Sequence, residues 1–361
     1  MRAAMSDLFN TIVHNHDSLK SDGSGRPLVP PSKNVQAICS AASCRKDYPM
    51  KKLSANQFAH IENWILRHAR PLEAARYAFH FQNGSPESFL ALLAQYQNRD
   101  GGFGHALEPD NWDPHSTPYT TMKAAELLAS IGFTDCTHPL YQGALRYFRS
   151  GDGFTADGGW QFSMPTSNDY PHAPWWTYSE TENVAENLGL SAHIAAFVFN
   201  TCQSDDPLYA KAEVIARRAL NALMTDNLSG EMGVSGSALL MPYWMKTEAP
   251  GSLPSIAQKM TQTSNAAIVR DPARWHTHVP RPSAAIFSPE SPMYKGNEEA
   301  IHLELDWLID TLPQDDLWPI DWSWFQNNAQ YPAEFAISEM WWKAWLAIDK
   351  LLLLRNFDRL P

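Results

Sequence analysis

The sequence predicts an all-α fold, with helices paired into a double-layered α/α ring, or toroid. Three observations point there. Apolar residues recur at helical spacing over most of the chain, while strand-like alternation is scarce. The turn Asp100-Gly101-Gly102-Phe103 returns as Asp157-Gly158-Gly159-Trp160, and a returning turn signals repeated helix pairs. Helices rich in Ala, Leu and Ile also open behind polar, Pro-bearing loops. Inner helices of a ring would look like this, with those loops at one end of a central cavity. An irregular helical bundle with Pro at its helix starts is the alternative arrangement.

Residues 1–50 read as an irregular N-terminal arm. Asp22-Gly23-Ser24-Gly25-Arg26-Pro27 and Pro30-Pro31 break regular structure, and periodic apolar positions are few. The toroid domain is expected over 51–361. Its first helix starts at Ser54, a good N-cap, and runs through Trp64 and Leu66 to Arg70. Further helices are expected near 72–82, 87–96, 119–131, 140–149, 177–200, 208–225, 256–268, 298–312 and 334–354. In each repeated turn the glycines permit a tight reversal with positive φ, and the following aromatic pins the turn to the next layer.

A chain of 361 residues can bury a large core. Its 14 Trp exceed what core packing demands, so some are expected to line a pocket. The net charge of −11 argues against nucleic acid and anionic membranes as partners. No apolar run of about 18 residues exists, so no transmembrane helix is expected. The start lacks the basic-then-apolar layout of a secretory signal, which makes a cytoplasmic location the expectation. Cys39, Cys44, Cys136 and Cys202 make no disulfide framework. The Cys39–Cys44 pair, His14-Asn15-His16 and His276-Thr277-His278 lack further ligands for a metal. A Walker loop, a dinucleotide fingerprint and a Gly-x-Ser-x-Gly elbow are missing. Neither metal nor cofactor is expected, and the expected partner is a small-molecule substrate.

Phe89-Leu90, Gln95 and Gln97-Asn98-Arg99-Asp100-Gly101-Gly102-Phe103 resemble the glutamine–aromatic repeat of the terpenoid cyclase and protein prenyltransferase toroids. The segments 97–110 and 168–176 are similar to those of a prenyltransferase-like group of single-toroid proteins, and a looser likeness spans roughly 55–355. This resemblance implies an (α/α)6 barrel and cyclase or isomerase chemistry on a terpenoid. The family's catalytic motifs are not repeated. The Asp-x-Asp-Asp of alkene-protonating cyclases has only Glu108-Pro109-Asp110-Asn111-Trp112-Asp113 near it. Asp205-Asp206 and Asp315-Asp316 lack the third acid that holds magnesium, and no Asp-x-Cys pair matches the zinc site of prenyltransferases.

Two constellations carry the candidate chemistry. In the first, Glu108, Asp110 and Asp113 crowd together with Trp112, His115 and, one helix turn on, Tyr119. Mutual repulsion raises at least one pKa and can keep a carboxylic acid protonated. Protonation of an alkene or of a glycosidic oxygen needs such an acid. The alternative role of Asp113 and Ser116 is to cap the helix at 119. In the second, Asp169 and His172 are spaced to pair for acid–base work. They precede Trp175, Trp176, Tyr178, Glu180 and Glu182. Their aromatic faces can shield a cation or stack on a sugar. His172 satisfied by backbone is the alternative. A third cluster, Trp318, Asp321, Trp322, Trp324, Tyr331, Glu334, Trp341 and Trp342, is read mainly as core that closes the ring.

Between 100 and 210 the only Lys or Arg residues are Lys123, Arg146 and Arg149, none inside a motif. A buried diphosphate needs several cations, so a neutral substrate is expected unless Arg270, Arg274 or Arg281 reaches in. The sequence therefore predicts an acid-catalysing cyclase or isomerase. Its acid would be Glu108, Asp110, Asp113 or the Asp169–His172 pair, and Trp112, His115, Tyr119, Trp160, Trp175, Trp176, Tyr178, Glu180 and Trp322 would surround the substrate. A carbohydrate hydrolase or lyase with paired carboxylates and a non-enzymatic binding scaffold are the alternatives.

Overall fold

The computed structural model describes residues 50–181 and 184–361. Among them are eleven α-helices and no strand, only four isolated bridges. In order these are α1 (Ala55–His68), α2 (Pro71–Phe81), α3 (Pro86–Leu93), α4 (Pro118–Ser130), α5 (Pro139–Ser150), α6 (Val184–Thr201), α7 (Pro207–Met224), α8 (Gly230–Thr247), α9 (Leu253–Ala267), α10 (Glu298–Asp310) and α11 (Pro332–Asn356). The predicted arm, with Cys39, Cys44, His14 and His16, lies outside the described residues, as does Glu182.

Local chemistry sets most helix starts. Ser54 accepts from the Gln57 amide while the Gln57 side chain accepts from the Ser54 amide, a reciprocal capping box. Six helices begin on Pro, where the missing N–H costs nothing. Thr117 caps α4, accepting from the Thr120 amide, so neither Asp113 nor Ser116 has that role. The helix expected at 177–200 is described from Val184, and residues 177–181, which follow the single 3-10 turn Pro174–Trp176, are not helical.

Helix α8 falls where the sequence predicted none. It contains Gly230, Gly233, Gly236 and Pro242, all weak helix formers. Packing explains it, because α8 lies along α6 more closely than side chains would allow. A Cβ on Gly236 would sit 2.8 Å from the Ala192 Cβ, and one on Gly189 would sit 2.8 Å from the Gly233 amide nitrogen. Small residues here are a fit to a neighbour, which outweighs propensity.

The two Gly-Gly turns have the same construction. The Asn98 amide donates to the Gly102 carbonyl, and the Thr155 amide to that of Gly159, both at 2.8 Å. Gly101 (φ 99°) and Gly158 (φ 84°) occupy the left-handed conformation at the bend. Phe103 and Trp160 are fully buried, and their amides donate to Thr121 of α4 and Ser191 of α6. Each turn is thereby fastened to the helix that follows it.

The two ends of the described span meet. Helix α11 packs on α1 and α2, and one apolar cluster takes Leu53, Ile61 and Ile65 together with Ile348, Leu351 and Leu354. The Leu53 amide donates to the Arg359 carbonyl at 2.9 Å. Elsewhere α4 packs on α6, and α6 on α7 and α8. No described helix is long and apolar enough to cross a membrane.

Candidate active site

A strained bend presents the first acidic constellation. His105 and Ala106 both have positive φ (58° and 56°), a conformation unfavourable for residues with a Cβ. Arg70, buried where α2 begins, holds the bend by donating to the carbonyls of Ala106 (2.6 Å) and Leu107 (3.4 Å). Its own charge is met by two hydrogen bonds to buried Glu73 (2.8 and 2.6 Å) and by the face of Trp341, 4.8 Å away. The bend then delivers Glu108 into the interior.

Glu108 is 2% exposed. Its Oε1 accepts from the Asp110 amide at 3.4 Å, and its Oε2 is buried without a partner. Burial pushes its pKa up to about 8, Lys123 and Arg70 oppose the rise, and the Asp110 charge adds to it. Asp110, equally buried, accepts from two indoles: Trp324 Nε1 to Oδ1 at 2.7 Å and Trp322 Nε1 to Oδ2 at 2.9 Å. Burial raises Asp110 to about 6, and the indole donors hold it from going higher. Two carboxyls two residues apart are thus set in different states by their surroundings, which is how one site separates an acid from an anion.

Asp113 is committed elsewhere. It accepts from the His115 amide (2.9 Å) and imidazole Nδ1 (2.8 Å), and from the Thr166 hydroxyl (2.6 Å). His115 itself is exposed and lies beside Tyr170. Trp112 donates to the Pro109 carbonyl (3.0 Å) and Ser338 hydroxyl (2.9 Å) and stacks on Trp341 at 5.4 Å.

The second motif joins the first through backbone. The Trp112 amide donates to the Pro171 carbonyl and the Ala173 amide to the Asp110 carbonyl, both at 2.9 Å, so 110–112 and 171–173 run antiparallel. The expected Asp169–His172 pair does not form. His172 Nδ1 meets the Tyr170 carbonyl at 2.6 Å and Nε2 the Thr177 hydroxyl at 3.1 Å, while Asp169 is exposed. The intervening chain turns Asp169 outward, and local groups satisfy the imidazole.

Trp176 is buried, stacked on Phe162 at 4.8 Å and edge-on to Tyr119 at 4.5 Å. Trp175 packs with the group formed by Ala173, Trp176 and Trp324. Trp160, expected at the substrate, is instead fully buried in the core between Phe148 and Phe154. Tyr178 and Glu180 line a separate open cleft of about 340 Å³ with Asp157, Gln161, Phe162 and Asn187.

Sequence reasoning missed three members of this site. Trp324 was read as closing core and not as a donor. Arg70 lies outside every motif. Lys123 stands buried in α4 with its ammonium 3.4 Å from Glu126 Oε2 and 5.4 Å from the centre of the Tyr119 ring. Burial works against its charge, yet Tyr119, Glu126 and Glu108 around it raise its pKa. A lone lysine among the buried residues of α4 was the available signal. The expected lack of cations therefore does not hold for this region, which has Lys123 and Arg70, each already paired with a carboxylate. Arg146 and Arg149 point away, to the Asp100 carbonyl and to Asp206, and Arg281 pairs with Asp321.

Compared with models of known families, with curated proteins and with solved structures, the chain matches none.

Proposed function

We propose that the protein is an acid-catalysing enzyme, a cyclase or isomerase for a neutral terpenoid or other polyene-derived substrate, with Glu108 as the proton donor. The observation that carries this reading is the buried Glu108 carboxyl, whose pKa near 8 keeps it protonated at neutral pH. Protonation of an alkene or an epoxide needs a donor that still holds its proton at the working pH and is kept from bulk water. Asp110 remains an anion nearby, able to favour positive charge as it develops. Trp112, Tyr119, Trp175, Trp322 and Trp342, half-buried around the two motifs, would offer π faces to cationic intermediates. The indole clamp on Asp110 leaves it poorly placed to activate water, which favours this chemistry over paired-carboxylate glycoside hydrolysis.

The finer architecture belongs to the same proposal. Packing of α11 on α1 and α2, of α4 on α6, and of α6 on α8 supports a closed α/α toroid with both acidic loops at one end. The likeness of residues 97–110 and 168–176 to the prenyltransferase-like group of single-toroid proteins agrees with it.

The test is incubation of the full chain with linear polyenes and their terminal epoxides in D2O, with products read by gas chromatography and mass spectrometry. A cyclised or isomerised product is expected, lost in Glu108→Gln; where a polyene alkene is protonated it carries one carbon-bound deuterium, and where an epoxide is opened the deuteron is on exchangeable oxygen. Unchanged substrate throughout the series, or a Glu108→Gln variant as active as the parent, overturns the assignment.

A further inference from the structure

We propose that Glu126, His193 and Ser235 form a second reactive site, a carboxylate–imidazole–hydroxyl relay that attacks carboxylic esters of uncharged alcohols. The three residues come from α4, α6 and α8. Glu126 Oε1 lies 3.0 Å from His193 Nδ1, and His193 Nε2 lies 3.0 Å from Ser235 Oγ.

The order of protons follows from the groups themselves. An ionised carboxylate only accepts, so Nδ1 carries the hydrogen and Nε2 of the neutral ring is left as the base toward Ser235. Lys123, 3.4 Å from the other Glu126 oxygen, favours the ionised carboxylate. His193 is 2% exposed and cannot rotate freely, whereas Ser235 is half-buried, with part of its surface in solvent. The Ser235 hydroxyl also stands 2.9 Å from the Glu231 carbonyl and 3.5 Å from the Met232 carbonyl of its own helix, so its single proton has three acceptors within reach, the imidazole among them. A serine that served only its helix would need no imidazole at hydrogen-bond distance, and that imidazole no carboxylate behind it. Gly236 supports the arrangement, since a Cβ there would approach His193 Cδ2 to 3.1 Å.

The step balances without a cofactor. As the Ser235 Oγ–carbon bond forms at the ester carbonyl, the hydroxyl proton passes to His193 Nε2. The carbon–alkoxide bond then breaks and the departing alcohol takes that proton. Water adds to the acyl-serine by the same route and releases the carboxylic acid. Glu126 stays ionised and orients the ring.

The full chain treated with a fluorophosphonate and digested for mass spectrometry tests this directly, alongside hydrolysis of p-nitrophenyl butyrate. A covalent adduct on Ser235 is expected, absent from Ser235→Ala. His193→Gln should slow both labelling and hydrolysis by about 10²–10⁴-fold, and Glu126→Gln by a smaller factor. Native protein with no adduct on Ser235 overturns the proposal, and needs no variant to fold. So does a Ser235→Ala protein that hydrolyses the ester at the parent rate, or a folded His193→Gln protein that labels as fast. These readouts are independent of polyene turnover, so this site and the Glu108 site can fail separately.

Discussion

Trp324 donates its indole N–H to Asp110 at 2.7 Å across 214 residues of sequence. The bond ties the loop before α11 to the acidic bend before α4, and it does so inside the protein, where an ionised carboxylate needs donors. Trp324→Phe keeps the ring and removes the donor. The expected cost is about 1–3 kcal/mol, read from urea unfolding. Combining it with Asp110→Asn should cost less than the sum of the two single changes. Strict additivity would show that the two groups do not act on each other.

Glu108 and Asp110 make stability fall as pH rises. Their folded values, about 8 and about 6, lie above the ordinary 4.5 and 3.8. Between those limits the folded chain holds protons that the unfolded chain has released, so unfolding is favoured progressively. The Asp110 contribution is lost by about pH 6 and that of Glu108 by about pH 8. Glu108→Gln should flatten the decline between pH 6 and 8 in a series of urea midpoints. An unaltered slope would mean that Glu108 titrates as an ordinary carboxyl.

Arg70 is the support of the site and not its chemistry. Arg70→Met leaves Glu73 charged and buried without a partner, and about 3–5 kcal/mol should be lost. Arg70→Met with Glu73→Leu should recover much of that stability. It should not recover the geometry of the 105–108 bend, because the carbonyls of Ala106 and Leu107 would still lack their donor. Thermal unfolding of the two variants beside turnover separates these effects.

Gly101 has no room for change. Its φ of 99° disfavours any other residue, and an added Cβ would lie 2.2 Å from the Gly143 carbonyl oxygen of α5. Gly101→Ala should be among the most damaging small substitutions, at more than about 3 kcal/mol, from the backbone shift it forces. A near-neutral melting temperature would contradict this.

Phe325 offers the opposite case. It has a φ of 45° and is 63% exposed. Phe325→Gly relieves the strain and gives up little packing, so it should be neutral or stabilising by about 1 kcal/mol. Calorimetry would detect a loss of that size just as readily.

The sequence was most legible where a helix has punctuation. Ser54, Pro71, Pro118, Pro139 and Pro207 mark starts that the structure repeats to within a residue or two. The doubled turn was legible too, since glycine and a following aromatic leave a pattern that survives in one dimension. Helix α8 was not legible, because its glycines are spaced for contact with α6 and look like breakers when read alone. The acidic bend could be singled out as a candidate from its crowding. What crowding could not reveal was the division of labour, since Asp113 is consumed by His115 and Thr166, and Asp110 by two tryptophans from far along the chain. His172 shows the converse error. Proximity in sequence to Asp169 suggested a pair, but Asp169 is exposed at the end of the 3-10 turn Pro165–Asp169, while buried His172 lies on the extended 171–173 segment held against 110–112.

The meeting of Leu53 with Arg359 has a mechanical consequence. Tension applied between residues 50 and 361 would not first unravel a helix. It would load a short clasp, made of the Leu53 amide on the Arg359 carbonyl and of the Arg359 guanidinium on the Lys51 carbonyl and on Asp306. Those bonds bear the pull together and yield together, so under force the helical body should open at that seam in a single rupture before any inner helix gives way.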